Sequence, residues 1–312
     1  METPKQETKG AIREIVIGRG GESVTVGGQT ALPFHGFEGA EPKRRLIGME
    51  VWDIDPQNIW PETVYAPFAS VAGDCGAWSA HCVKEFGAPL IQVTLAGTDP
   101  NGADLDTQHA VEAVKKVLAA VNVPVAVWGT ANFDKDRQVL AAVAEQITDT
   151  RLMIGPVQEE NHKDILPAII KNGHIAVNSS PIDINLAKQL NVLAGNLGLP
   201  DDRILMDPTT GGLGYGLEYT YSVMERARLA GLMHGDAKLQ FPLYCYLGQE
   251  AWKVKEVTLD DAKLGDVQQR GINMETVAAV SLLLTGADLL IVRHPETRSR
   301  LVAFLESMGS GE

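Results

Sequence analysis

The sequence is poor in cysteine and in positive charge, and it has no long unbroken apolar run. Only Cys75, Cys82 and Cys245 occur in 312 residues. An odd number with no paired framework excludes a disulfide-stapled scaffold and points to a reduced, cytoplasmic protein. The spacing of Cys75 and Cys82 matches no common zinc or iron–sulfur ligand pattern, so this chain alone is not expected to hold a cluster. Lys and Arg number 27 against 40 Asp and Glu, a formal charge of −13. That balance excludes a phosphate-backbone partner, which needs clustered cations. The single basic run, Lys43-Arg44-Arg45, reads as solvated loop. The most apolar stretch, Val277 to Val292, is interrupted by Ser281, Thr285, Gly286 and Asp288. It falls short of the roughly 20 apolar residues that a membrane span requires. The polar start, Met1 to Gly10, has no apolar signal region.

Several catalytic signatures are also missing. There is no Gly-x-Ser-x-Gly elbow and no Gly-Lys-Ser/Thr ending to a glycine-rich loop. No lysine closes an apolar strand, which argues against a Schiff-base lyase. His162, His174, His234 and His294 are scattered without ligand spacing.

What is present is an alternation. Apolar strand candidates fall at Leu46–Val51, Leu90–Leu95, Val123–Trp128, Leu152–Ile154, His174–Val177, Arg203–Met206, Leu239–Leu243 and Asp288–Val292. Helical periodicity follows most of them. Ala110, Val111, Val114, Val117, Leu118 and Val121 form one such face, with Asp106 placed as N-cap. The next helix has Asp134 at its start and Leu140, Val143, Ala144 and Ile147 on one face. Eight strand–helix units in roughly 250 residues predict an α/β protein of the (β/α)8 TIM barrel class. Ahead of them, Ile12–Ile17, a turn at Gly18 to Gly21 and Ser23–Val26 predict a β-hairpin. The expected organisation is a tail and hairpin over residues 1–30, closing the barrel bottom, and one barrel domain over 31–312.

Sites in such barrels lie on the rim formed by the loops after the strands. Asp207-Pro208-Thr209-Thr210-Gly211-Gly212-Leu213-Gly214-Tyr215-Gly216 stands out there: a strand ends in a carboxylate and runs into four glycines within six residues. Glycine lets a ligand or another chain approach the backbone closely. Asn101 after the second strand, Asn178 closing the fifth and Asp207 closing the sixth are expected at one mouth, where amide and carboxylate groups can bond the edge of a heterocycle. The segment from Gly248 to Glu256 fits a lid, a docking surface or an amphipathic helix.

Met49-Glu50-Val51-Trp52-Asp53, Ser180-Pro181-Ile182-Asp183-Ile184-Asn185, the Asp207–Gly216 loop, Met224-Glu225-Arg226, Gln249-Glu250-Ala251-Trp252 and Arg293-His294-Pro295-Glu296 resemble the small subunit of the corrinoid/iron–sulfur protein. That family includes the delta subunit of acetyl-CoA decarbonylase/synthase. The resemblance runs from about residue 12 to the C-terminus. It implies a barrel that forms a heterodimer with a large corrinoid/iron–sulfur subunit carrying a 4Fe-4S cluster and a mobile cobalamin domain. The further partners it implies are a methyltetrahydrofolate methyltransferase and acetyl-CoA synthase/CO dehydrogenase, in the reductive acetyl-CoA (Wood–Ljungdahl) pathway of carbon fixation. The implied role is non-catalytic: the rim covers the methyl-bearing face of a cobalamin shared with the large subunit. On that reading Thr209, Thr210, Gly211, Gly212 and Tyr215 contact the corrin. Asn101, Asn178 and Asp207 bond its amides or axial water, and Gln249, Glu250, Arg293 and His294 are further rim positions. The alternative is a stand-alone pterin-binding methyltransferase, because this barrel family is related to pterin-binding methyltransferases.

Overall fold

Eight parallel strands close into a barrel in the computed structural model, which describes residues 4–18 and 22–309. The strands are β3 (Leu46–Trp52), β4 (Ile91–Thr94), β5 (Val125–Trp128), β6 (Met153–Val157), β7 (Ile175–Ser179), β8 (Ile204–Asp207), β9 (Leu243–Tyr246) and β10 (Ala287–Val292). Each pairs with its sequence neighbour, and β10 pairs back onto β3 through Leu289 opposite Leu46. Ahead of the barrel, β1 (Ile15–Ile17) and β2 (Val24–Val26) pair antiparallel, Ile15 opposite Val26. Of the expected turn, Arg19, Gly20 and Gly21 lie outside the described residues, as do Met1, Glu2 and Thr3 of the polar start.

The crossover helices are α1 (Cys75–Phe86), α2 (Thr107–Ala120), α3 (Phe133–Gln146), α4 (His162–Asn172), α5 (Ile184–Asn196), α6 (Leu217–Arg228), α7 (Val267–Leu284) and α8 (Pro295–Ser307). At most of them a side-chain acceptor caps a free N-terminal amide. Asp74, Asp106, Asp183 and Asp266 cap α1, α2, α5 and α7 through their carboxylates. At α3 the cap is Asn132, whose side chain accepts from the Lys135 amide at 3.1 Å. Asp134, expected at the helix start, lies in its first turn, where its charge meets the positive end of the helix dipole.

One strand is displaced from its expected place. Leu239–Leu243 is the seventh candidate in the sequence, yet β9 begins at Leu243. Asp236 accepts from the Lys238 amide and winds Ala237–Leu239 into a 3₁₀ turn. Pro242 then sits just before the strand, where its missing N–H costs no ladder bond. The shift moves Tyr244 and Cys245 from the strand end into the strand itself.

Side chains alternate across each strand, and the parity decides what enters the barrel. Inward positions include Leu46, Leu90, Ala126, Met153, Ile175, Leu205 and Leu289, which share one buried cluster with Ile15, Ile17 and Val26 of the hairpin. The hairpin meets residues just before the strands: Arg151 donates to the Val16 carbonyl at 3.2 Å, and the Arg13 amide to the Gln240 carbonyl at 3.0 Å. The floor of the barrel is therefore apolar. Further along the strands the inward set turns polar, with Glu50, Gln92, Tyr244, Asp207 and Arg293. Among these stands Trp128, whose ring has room because β6 carries Gly155; a Cβ there would lie 3.0 Å from the Trp128 ring and 2.9 Å from Val177 Cβ. A buried clamp ties the lower edge together. Asp288 at the start of β10 pairs with Arg228, and accepts from Gln29 Nε2 at 2.8 Å and from the Leu243 amide at 2.7 Å.

Candidate functional site

The mouth of the barrel contains a connected polar network around Glu50. Its carboxylate accepts from Arg293 Nε at 2.5 Å, Thr94 Oγ1 at 2.9 Å and Trp52 Nε1 at 2.5 Å, and also from the Tyr246 hydroxyl. Below it, the Tyr244 hydroxyl donates to Gln92 Oε1 at 2.6 Å, and Gln92 Nε2 donates to Thr94 Oγ1 at 3.0 Å. Tyr244 stacks on Trp128 with centroids 5.7 Å apart and planes 7° apart. The Arg293 guanidinium lies 4.5 Å from the Trp60 ring centroid. Burial alone would lower the Arg293 pKa, but Glu50 and Tyr246 outweigh it and the net shift is upward. Burial and then Glu50 push the Tyr246 phenol up, so it acts as a donor. A buried ion pair holds its geometry only when hydrogen bonds surround it, and here the Glu50 carboxylate accepts from four side chains. From α7, Glu275 fixes the end of β10 by accepting from the backbone amides of Arg293 and His294 at 2.7 and 3.2 Å.

Across the mouth, Asp207 ends β8 with its carboxylate facing inward. Ser179 Oγ donates to it at 2.6 Å and the Thr209 amide at 3.0 Å. Burial raises its pKa from 3.8 to about 6 against the lowering effect of those two donors. The glycine-rich ledge that follows is stiffened from α6. Thr220 Oγ1 donates to the Thr209 carbonyl at 2.9 Å and accepts from the Gly211 amide at 2.8 Å. Thr209 is held at φ 60°, a costly conformation for a β-branched residue. Gly211 is required: a Cβ would lie 2.5 Å from the Gly216 carbonyl carbon. Gly212 faces open space, the nearest atom to its Cβ being the Tyr215 carbonyl at 3.7 Å. Tyr215 projects from the tip, 84% exposed.

A cavity of about 220 Å³ lies between these parts, walled by Trp128, Ser179, Asp207, Thr210, Tyr246 and Gln249, with Glu250 and Lys253 at its edge. Two polar atoms in its wall, Gln158 Oε1 and Thr210 Oγ1, are buried without a partner. Of the positions expected from sequence, Asp207, Thr209, Thr210, Gln249 and Glu250 line this cavity, and Gly211, Gly212 and Tyr215 form the ledge beside it. Four do not line it. Asn178 has outward parity, between inward Val177 and Ser179; its amide donates to Asn191 of α5 at 2.9 Å. Asn101 is exposed and donates to Asp99 at 3.2 Å. His294 caps α8 by accepting from the Glu296 amide at 3.1 Å, and burial lowers its pKa to about 4, leaving it neutral. Arg293 is inward but committed to Glu50. The expected lid after β9 is one helical turn, Gly248–Ala251, followed by a loop and a 3₁₀ turn at Lys255–Val257. Sequence reasoning did not select Glu50, Gln92, Trp128, Tyr246 or Lys253. A carboxylate and an amide inside the apolar runs Leu46–Trp52 and Ile91–Thr94 are the signal that marks the first two.

Asp207 gives a testable pH dependence. The folded carboxyl holds its proton more tightly than the unfolded one, so ionising it in place costs stability. That cost grows as pH rises from 3.8 to about 6 and is complete above it. The shift sets a ceiling of about 3 kcal/mol. Asp207→Asn is expected to unfold at higher denaturant than the parent at pH 8, by about 1 kcal/mol after the weaker amide hydrogen bonds are counted. The gap between the two should shrink as pH falls through 6 towards 4. A gap independent of pH would mean that Asp207 titrates normally.

Among the described residues no helix is long and apolar enough to cross a membrane, and no group of three or more His, Cys, Asp or Glu could hold a metal ion. Solved structures with the same barrel include dihydropteroate synthase from Xanthomonas albilineans with 4-aminobenzoic acid, at TM-score 0.60 and 14% identity, covering 96% of this chain and 100% of that one. The Thermus thermophilus synthase in complex with 6HMPPP aligns at TM-score 0.54 and 16% identity, covering 88% of this chain and 98% of that one. At these identities the likeness is one of fold. Among sequence relatives, the acetyl-CoA decarbonylase/synthase complex subunit delta of Archaeoglobus fulgidus is 34% identical across 99% of this chain and 71% of its own length. That of Methanopyrus kandleri is 33% identical across 97% of this chain and 76% of its own. Subunit delta 2 of Methanosarcina acetivorans is 35% identical across 89% of this chain, which spans 64% of the length of that relative. The family described as CO dehydrogenase/acetyl-CoA synthase delta subunit matches residues 14–304, and the chain belongs to it.

Proposed function

We propose that this chain is a subunit of an acetyl-CoA decarbonylase/synthase complex whose barrel mouth acts as a removable cover for a corrinoid carried by a larger partner subunit. The observation that carries the reading is the shape of the mouth. Its cavity of about 220 Å³ is smaller than the 300–1,000 Å³ of sites that engulf a drug-sized ligand. A macrocycle cannot enter it, but a small axial group can, while the ring's edge rests on the ledge at Thr209–Gly216. The donor set fits that task. Gln158, Ser179, Asp207 and Thr210 give the cavity a polar lining of the kind that amide side arms or an axial water would bond. No histidine or cysteine lines the cavity to compete for a metal.

Bound there, the corrinoid would supply the methyl-carrying metal centre. The chain's own contribution is to exclude water and to let go. Trp128 and Tyr246 form aromatic walls, Asp207 accepts a hydrogen bond, and the Glu50–Arg293 pair braces the wall. Release for transfer to the next partner requires a weak contact, on the order of 1,200 Å² of buried surface or less.

The alternative, a free-standing enzyme that binds methyl-pterin, draws on Asp207 as a carboxylate facing the cavity and on the barrel shared with the synthases. Calorimetry separates the two readings. The isolated chain is expected to show no heat of binding with methyltetrahydrofolate, and to bind the corrinoid-loaded large subunit. Tight binding of the pterin without any partner would overturn the cover and establish the enzyme.

A further inference from the structure

We infer that a second cavity, beside the mouth, is a binding site for a small planar aromatic anion of the aryl carboxylate class. The inference stands apart from the cover and does not depend on it. The cavity has a volume of about 430 Å³, within the range of small-molecule sites. Its walls include Trp52, Trp60 and Trp252, three of the five tryptophans in the chain. Trp60 and Trp252 are largely buried and Trp52 half-buried, so the indole surface offered to a flat ring is mainly that of Trp52, against which an aromatic ligand gains by offset or edge-on stacking.

The polar groups select charge. The lining contains Lys253, Lys255 and Arg293 and no carboxylate, in a chain whose formal charge is −13. Lys253 is paired with Glu250 at 2.8 Å and Arg293 with Glu50 at 2.5 Å. Lys255 forms no ion pair among the described residues, so one positive charge at this cavity is uncompensated. Aromatic cages often take cations, but here the cation is built in: Arg293 already lies 4.5 and 5.5 Å from the Trp60 and Trp52 centroids. A ligand carboxylate would pair with Lys255, the cation left without a partner.

Tryptophan fluorescence reads the site directly, with 2-naphthoate as the probe. Saturable quenching is expected with a dissociation constant below about 1 mM, roughly 4 kcal/mol of binding. The neutral isostere 2-naphthamide should bind at least tenfold more weakly. Lys255→Glu removes the free cation, and Ile59→Glu puts a like charge on a lining residue that is 61% exposed. Both positions are exposed, so each variant should keep the parent's unfolding midpoint while losing at least tenfold in affinity. The inference fails if quenching does not saturate, if acid and amide bind equally, or if both variants retain parental affinity.

Discussion

Arg293→Met is expected to lower the unfolding free energy by about 3–5 kcal/mol, the cost of stranding a buried charge. Glu50 is fully buried, and its carboxylate loses both guanidinium contacts in this variant. What remains is Thr94, Tyr246 and Trp52, three neutral donors around an anion cut off from water. A domain stable by about 5–15 kcal/mol would forfeit a large share of its margin. Glu50→Gln should be comparably damaging from the other side, leaving Arg293 charged between two indoles. The double variant, Glu50→Gln with Arg293→Met, is expected to recover at least half of the loss, because neither partner is then stranded. Guanidinium unfolding at constant m-value measures all three. Single-variant losses below about 1 kcal/mol, or strict additivity, would show that the pair is solvated and that the wall of the mouth is looser than the distances indicate.

Gly212→Trp tests the ledge. The position has open space around its Cβ, so the barrel should keep its unfolding midpoint. The indole would then stand where the covering surface must approach another molecule. Docking of the corrinoid-loaded large subunit is expected to weaken at least tenfold, or about 1.4 kcal/mol. Gly211→Ala provides the contrast. Its Cβ runs into the Gly216 carbonyl group, so the turn must open and stability should fall along with docking. Unchanged docking by Gly212→Trp would remove the ledge from the interface.

The barrel was legible in the sequence because its signal is repeated. Eight apolar runs alternate with helical faces, and Asp106 marks one helix start by the physics that also selects Asp74, Asp183 and Asp266. Asp207 was legible because a carboxylate closing an apolar strand is rare and four glycines follow it. Asn178 shows the limit. Polar residues at a strand end are equally visible whichever way they point, and the parity that turns Asn178 to Asn191 while Ser179 faces Asp207 follows from strand register. Glu50 and Gln92 were hidden for a related reason. Inside an apolar run they look like interruptions, and only closure of the barrel brings Glu50 to Arg293, 243 residues away. The seventh strand was misplaced because Leu239 and Phe241 are buried outside any strand, in and just after a turn set by Asp236. Apolarity marks burial, not the ladder.

Hydrogen exchange on this chain, with and without the corrinoid-loaded large subunit, tests the central claim most directly. The amides of residues 207–216 and 248–253 are expected to slow on complex formation, while those of the hairpin at Ile15–Ile17 and Val24–Val26 exchange as before. Slowing at the hairpin end or along the outer helices, with the ledge unchanged, would contradict the barrel mouth as the covering surface.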